Sequence, residues 1–260
     1  MLIGMGIGGI GIAASPGGAR AFNPASVAGL QLWLKGDAGT LDASGNPITV
    51  DNTAIATWND QSSNAYSAIQ ATALNRPFLR TGSNGINGKS VVNAQAANQL
   101  LASATGTLFT TNVTTFLVYS TPLTSGDNTY FKANNTTPTF ANGDNTFFAV
   151  RRYALYANGG RFDDTSVVVS TAPTLITIKA NATSGNDVVT NTTYRINRTT
   201  VPLTYAFIGP LTYGNYATAL GFTAGGANCK IAEVLVYNNQ LSTNNMTAVE
   251  GYLSAKWGTP

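Results

Sequence analysis

The residues able to do acid–base or covalent chemistry in this chain are few enough to weigh one at a time. Two glutamates, Glu233 and Glu250, stand among 11 acids; there is no histidine and one cysteine, Cys229. Glycoside hydrolysis uses a pair of carboxyl groups about 5–5.5 Å apart for retention and wider for inversion. On a strand, such a pair needs acids at i and i+2 or i+4, because alternate side chains share a face. Glu233 is alone in its run, and Asp163 and Asp164 are adjacent, so a strand would point them to opposite faces. Without histidine, no Ser-His-Asp triad, Cys-His dyad or His-ligated zinc site can be assembled from this chain. One cysteine also forms no internal disulfide. The chemistry reads as that of a protein that is not an enzyme.

Glu233 lies in Lys230-Ile-Ala-Glu-Val-Leu-Val-Tyr237. Strict alternation places it with Ile231, Leu235 and Tyr237 on the core-facing side. A buried carboxylate must be paired or hydrogen-bonded, so a tryptophan indole, a backbone amide or a Lys/Arg is the expected partner. Aromatic side chains beside amides are what a sugar site would use. Tyr130, Tyr153, Tyr156, Tyr213 and Tyr216 sit in or near Asn/Gly-rich segments that suit this, with core or subunit packing as the alternative.

The charge balance is +3, with 14 Lys+Arg and only 10% of the chain charged. The basic residues are scattered, Arg151-Arg152 being their one adjacent pair, whereas nucleic-acid binding concentrates cations on one face. No nucleic-acid partner is expected. Asn and Thr make up about a quarter of the chain, beside 27 Gly. Such side chains lose less rotamer entropy in a contact than long charged ones, which suits permanent subunit interfaces and a homo-oligomer.

These residues are positioned by short apolar or alternating runs separated by Gly, Asn, Pro and Ser, the pattern of an all-β sandwich. The runs expected as strands are Leu30–Lys35, Ile55–Trp58, Lys89–Val92, Thr114–Ser120, Phe147–Tyr156, Thr165–Ser170, Thr174–Ala180, Tyr194–Asn197, Tyr205–Pro210 and Cys229–Tyr237. Thr and Asn within them are expected on a solvated face. One helix is predicted near the C-terminus, with Ser242 as N-cap, Met246, Val249, Leu253 and Trp257 as its apolar stripe, and Gly258 as its stop.

The first residues, MLIGMGIGGIGIAASPGGARAF, are apolar and Gly-rich. Their uninterrupted stretch is too short for a spanning helix, and no basic n-region precedes it. The expected organisation is an anchoring arm over 1–27 and a sandwich domain over 28–260. Met1, Leu2, Ile3, Met5, Ile7, Ile10, Ile12 and Phe22 are the arm's candidate contacts with a neighbouring subunit. The alternative is a first strand or coil lying on its own domain.

Four segments carry a resemblance. Leu30-Gln-Leu-Trp-Leu-Lys-Gly-Asp-Ala-Gly39, Thr57-Trp-Asn-Asp-Gln-Ser-Ser-Asn64 and Asn84-Gly-Ile-Asn-Gly-Lys-Ser-Val-Val92 are three of them. The most specific is Lys230–Ser242 followed by Val249-Glu-Gly-Tyr-Leu-Ser-Ala-Lys-Trp-Gly258. Together they resemble the concanavalin A-like lectin/glucanase superfamily in its laminin-G-like branch. Asn93-Ala-Gln-Ala-Ala-Asn98 departs from the turn that such domains often carry.

The resemblance implies a two-sheet antiparallel jelly-roll sandwich with a short C-terminal helix. It also implies a place among bacteriophage virion proteins, as a head decoration or fibre-type subunit on the particle surface. Its partners would then be other capsid or tail subunits, and a homotrimer is the form expected by analogy. A carbohydrate-binding adhesin or tail-associated receptor-binding module is the alternative, with a cell-surface glycan as partner. Calcium is the ion such domains hold, and Asp37, Asp60 and Asn64 could supply oxygens if their loops converge. No Asp-x-Asp-x-Asp-Gly run is present, so no cofactor is expected and the Trp58–Asn64 loop reads as a side-chain-capped turn.

Overall fold

The computed structural model describes residues 21–95, 99–104, 112–121, 129–134, 146–151, 154–157, 160–163, 171–181, 192–202, 204–207, 219–223 and 229–260. It is an all-β sandwich of two antiparallel sheets with one C-terminal helix.

Among the described residues the first sheet has nine strands. Its centre is Cys229–Tyr237, which pairs along one edge with Asn112–Ser120. The other edge is shared. Leu30–Lys35 lies beside Glu233–Tyr237, while Val91–Ala94 lies beside Cys229–Ile231. Gly36 sits at the fork, its N–H donating to Ala232 O at 2.8 Å. A Cβ there would meet Val91 Cα at 2.7 Å and Ser90 O at 2.8 Å, so only glycine fits where the two strands converge. Beyond Asn112–Ser120 the sheet continues through Thr174–Asn181, Thr192–Ile196 and Thr199–Thr200. The second sheet, with ten strands among the described residues, runs from Thr204–Phe207 to Thr40–Leu41, passing through the hairpins of the middle of the chain.

Both faces of the first sheet are covered. One carries Leu32, Leu34, Leu117, Ile176, Ile231, Val234 and Val236, which pack with Trp58, Ala68 and Leu79 in the sandwich core. The other carries Trp33, Phe116, Val118, Leu235 and Tyr237 under the helix. A strand covered on both faces reads as a continuous apolar run, and Cys229–Tyr237 is buried at every position except Lys230. Double coverage also corrects the expectation that strand threonines face water. Thr114, Thr115 and Thr177 are buried. Thr114 Oγ1 donates to Asn239 O at 2.8 Å and accepts from Leu241 N–H at 3.0 Å, fixing the turn from strand to helix.

The helix spans Thr243–Trp257, as its stripe predicts. Ser242 Oγ accepts from Asn245 N–H at 3.3 Å, and Gly258 ends the helix at φ 71°. Met246, Val249, Leu253 and Trp257 are buried on the sheet. At about 2 kcal/mol each, those side chains contribute on the order of 8 kcal/mol of gross burial energy.

Leu30–Lys35 and Cys229–Tyr237 form with the expected bounds. Others shift or split. Ile55–Trp58 shortens to Thr57–Trp58, and Lys89–Val92 moves to Val91–Ala94 because Ile86-Asn87-Gly88-Lys89 is a tight turn. Phe147–Tyr156 is two paired strands, Thr146–Arg151 and Ala154–Ala157, with Phe148 opposite Ala157. Thr204–Phe207 stands in Tyr205–Pro210, of which 208–210 lie outside the described residues. Thr165–Ser170 also lies outside them.

Candidate functional site

A charged cluster under the helix is built on Glu233, which is fully buried. Its Oε1 accepts from Trp33 Nε1 at 2.6 Å and from the Tyr252 hydroxyl at 3.0 Å. Its Oε2 accepts from Trp257 Nε1 at 2.7 Å and from Lys256 Nζ at 2.7 Å. Lys256 also reaches Asp37 Oδ1 at 2.9 Å and lies 4.7 Å from the centre of the Trp257 ring. Two donors on each oxygen satisfy the carboxylate in a dry place. Burial, then the Glu233 charge, pushes the hydroxyls of Tyr252 and Tyr237 well above the ordinary tyrosine range. This is the pairing the sequence demands, supplied by two indoles, a phenol and an ammonium at once.

Strict alternation misplaces one neighbour. The pairing with Asn112–Ser120 shifts between Ile231 and Glu233, so that Tyr119 faces Ile231 and Val118 faces Glu233. This bulge sends Ile231 into the sandwich core while Glu233, Leu235 and Tyr237 face the helix.

Asp60 and Asn64 tie their loop to the first strand. Asp60 Oδ1 accepts from the N–H groups of Trp33 (2.8 Å) and Ser62 (2.9 Å); Oδ2 accepts from Ser62 Oγ (2.6 Å) and Tyr66 N–H (3.0 Å). Asn64 Nδ2 donates to Gln31 O at 2.9 Å. The loop is the capped turn its sequence suggests. Asp37 instead pairs with Lys256, while Asp60 and Asn64 meet at Ser62 Oγ. Among the described residues no three acidic, histidine or cysteine side chains form a metal-binding cluster.

Three further carboxylates are also engaged. Asp42 accepts from Ser44 and Asn46 N–H groups, and Asp51 from Thr81 N–H, with Arg80 at 3.3 Å. Glu250, fully buried on the helix, has Arg195 Nε 3.0 Å from Oε1, but off the line of a hydrogen bond. That contact is an ion pair held by charge. Cys229 is buried, which pushes its thiol far above the ordinary range.

On the outer side of the helix lies an apolar groove of about 640 Å³, lined by Phe22, Ala248, Gly251, Tyr252 and Ala255 with Lys89 and Lys256 at its edges. The Phe22 ring packs on Tyr252, centroids 6.3 Å apart. The chain then enters the fold through a short turn at Pro24–Ser26, where Pro24 O accepts from the Tyr237 hydroxyl at 3.1 Å. Phe22, of the candidate arm residues, therefore touches its own helix. Met1, Leu2, Ile3, Met5, Ile7, Ile10 and Ile12 lie outside the described residues. Of the candidate sugar-facing aromatics, Tyr130 and Tyr156 fall on strands of the second sheet, and Tyr153, Tyr213 and Tyr216 lie outside the described residues. The groove is a feature that strand-by-strand reading misses. The small residues Ala248, Gly251 and Ala255, spaced to share a helix face, are the signal that could have located it.

Comparison with solved structures places the fold. The chain is similar to the botulinum neurotoxin serotype D binding domain (TM-score 0.51, 13% identity, 89% of this chain and 55% of that one). It is also similar to a serotype D ligand binding domain solved in complex with N-acetylneuraminic acid (TM-score 0.52, 12% identity, 89% and 54%). The chain thus spans about half the length of these binding domains. No family model and no curated protein sequence matches it. The fold is that of the lectin-like, jelly-roll class of β-sandwich, the class implied by the resemblance of its sequence. Among the described residues no helix is long and apolar enough to cross a membrane.

Proposed function

We propose that this chain is a non-catalytic binding and display module of a phage virion, a decoration or fibre-type subunit whose lectin-like sandwich faces outward and whose residues 1–22 dock it to the particle. The observation that carries this reading is the contrast between two parts of the chain. The described residues form apolar clusters of their own around the sheets and the helix, and six large apolar residues between Leu2 and Ile12 stand ahead of them in the sequence on a backbone rich in glycine. Glycine lets chains approach closely, which suits an arm laid against another subunit. Among the described residues, Asp37, Asp42, Asp51, Asp60, Glu233 and Glu250 each have partners within the fold, which suits a role without catalysis. The module works without a cofactor or a nucleic-acid partner, and a homo-oligomer, in trimeric form, is the arrangement proposed for it on the particle surface.

The test is quantitative mass spectrometry of purified virions carrying either the full chain or a chain beginning at Ala21. The reading expects the full chain in fixed stoichiometry and the shortened one in the unassembled fraction. Equal incorporation of both would overturn the arm's role, and absence of the full chain from particles would overturn the virion assignment.

A second reading, a glycan-binding adhesin or receptor-binding module, is favoured by the likeness in fold to a domain solved with N-acetylneuraminic acid. A glycan array probed with the full chain decides it. Saturable binding to a defined sugar supports this reading, and no binding to any sugar removes it.

A further inference from the structure

The groove on the outer side of the C-terminal helix has a feature that the described fold does not use. Gly251 stands in the middle of Thr243–Trp257, where glycine weakens a helix relative to alanine. A Cβ built on Gly251 meets no atom within 4 Å. Nothing in the described sandwich therefore requires glycine at this place. A glycine facing open space between Ala248 and Ala255 leaves a smooth track of bare backbone, into which another backbone can settle. Phe22, Tyr252 and Lys89 line the groove with them.

We infer that this groove is the seat of the chain's own residues Leu2–Ile12, an inference that rests on the reading of residues 1–22 as a docking arm and assigns the arm its place in the free protein. The chain's course argues for this occupant. Twenty residues precede Ala21, which itself lines the groove, so the segment begins where the groove is. Pro16-Gly17-Gly18, between them in the sequence, is composed as a turn. Eleven residues of extended chain reach about 36 Å, against a helix of about 22 Å, so length is ample. The sequence suits the track. Ile3, Met5 and Ile7 alternate with Gly4, Gly6 and Gly8, giving an extended run one apolar face and one bare face. The segment carries no acidic or basic side chain before Arg20, and the ammonium of Lys256 at the groove's edge is already neutralised by Glu233 and Asp37. Being tethered, the arm meets this groove at a high effective concentration that a separate copy does not match in dilute solution. On assembly the same arm can exchange its own groove for a site on a neighbouring subunit.

The test is disulfide trapping in the full chain carrying Met5→Cys and Ala255→Cys, oxidised at low micromolar concentration; buried Cys229 does not compete. The expected product is a monomer whose mobility changes on reduction and whose peptide map joins positions 5 and 255. A disulfide-linked dimer would mean that a second copy fills the groove, and no cross-link above that of a Met5→Cys, Asn238→Cys control would mean that the arm lies elsewhere; either overturns the inference. Gly251→Leu in the trapping background, which suits a helix and fills the track, should slow trapping at least fivefold while circular dichroism is unchanged. Trapping at an unchanged rate in the Gly251→Leu chain would also overturn it. Virion incorporation is scored separately, so failure of the groove leaves the anchoring reading to its own test.

Discussion

Trp33 and Trp257 donate their indole N–H groups to different oxygens of one carboxylate, Glu233, from positions 200 and 24 residues away in the chain. The first strand, the central strand and the C-terminal helix thus close on a single buried anion, and Lys256 supplies its counter-charge at 2.7 Å. Replacing one member of such a pair costs more than the pair itself contributes, because the remaining charge stays buried. Glu233→Gln keeps the shape but turns an N–H₂ toward donors. It should destabilise the fold by about 3–5 kcal/mol, read as a lowered urea midpoint. A loss below about 1 kcal/mol would mean that the cluster is solvated in solution, in the manner of exposed ion pairs.

Glu250 makes the complementary case, since its only charge partner among the described residues is Arg195, at 3.0 Å without hydrogen-bond alignment. Removing the cation by Arg195→Ala strands a fully buried carboxylate and should cost about 3 kcal/mol. Glu250→Leu, which removes the charge and refills the space, should be close to neutral or stabilising in the same urea titration. Destabilisation by Glu250→Leu equal to that of Arg195→Ala would show that the ion pair itself favours folding.

How far the sequence carries these relationships depends on their range. Ser242, Gly258 and the stripe from Met246 to Trp257 are local, so the helix is legible with its caps. The need of Glu233 for partners is legible from alternation and the cost of burying charge. That two tryptophans serve it is not, because their meeting is set by register between distant strands. The bulge before Glu233 is hidden for a related reason: in a strand buried on both faces apolar residues stand on either side of the alternation, and one extra residue leaves no mark on the pattern. The hairpin within Phe147–Tyr156 is masked by composition, since Arg151, Arg152 and Tyr153 offer no Gly, Pro or Asn to announce a reversal. The groove at Gly251 escapes because it belongs to a helix face that the core does not use.

Backbone crowding makes a third prediction. Gly85 closes the short turn after Thr81, and a Cβ there would stand 1.9 Å from Lys89 O. No rotamer relieves a clash with backbone, so Gly85→Ala must open the Ile86–Lys89 turn that precedes Val91–Ala94. It should cost at least about 2 kcal/mol. Gly45, with nothing within 4 Å of its Cβ position but φ at 82°, isolates the other cause. Gly45→Ala meets only backbone strain, of about 1 kcal/mol. Paired thermal melts should rank Gly85→Ala well below Gly45→Ala, and the reverse order would refute the crowding argument.

The pH dependence of stability follows from which groups are shifted and in which direction. Asp51 is held below its ordinary value of 3.8, chiefly by Thr81 N–H, with Arg80 and Asn84 adding to it. Asp42 is lowered likewise, chiefly by Asn46 N–H. A carboxyl whose folded value lies below its unfolded one contributes stability that is present above the unfolded value and lost as pH falls through the folded one. Acid should therefore weaken the fold only below about pH 4. Tyr252 and Tyr237 are shifted the other way, first by burial and then by the charge of Glu233. Their contribution is complete below the ordinary value of 10.0 and is lost as pH rises beyond it. With no histidine in the chain, the first side chain to titrate on the alkaline side is Cys229, whose ordinary value of 9.0 is raised by burial, so its contribution is lost as pH rises beyond that value. Urea midpoints should be flat from about pH 5 to pH 8, falling on either side, and the 295 nm phenolate signal of Tyr237 and Tyr252 should appear only with alkaline unfolding. A slope near neutrality would require a titrating group that these contacts do not contain, and early ionisation of Tyr252 would show that water reaches the Glu233 cluster.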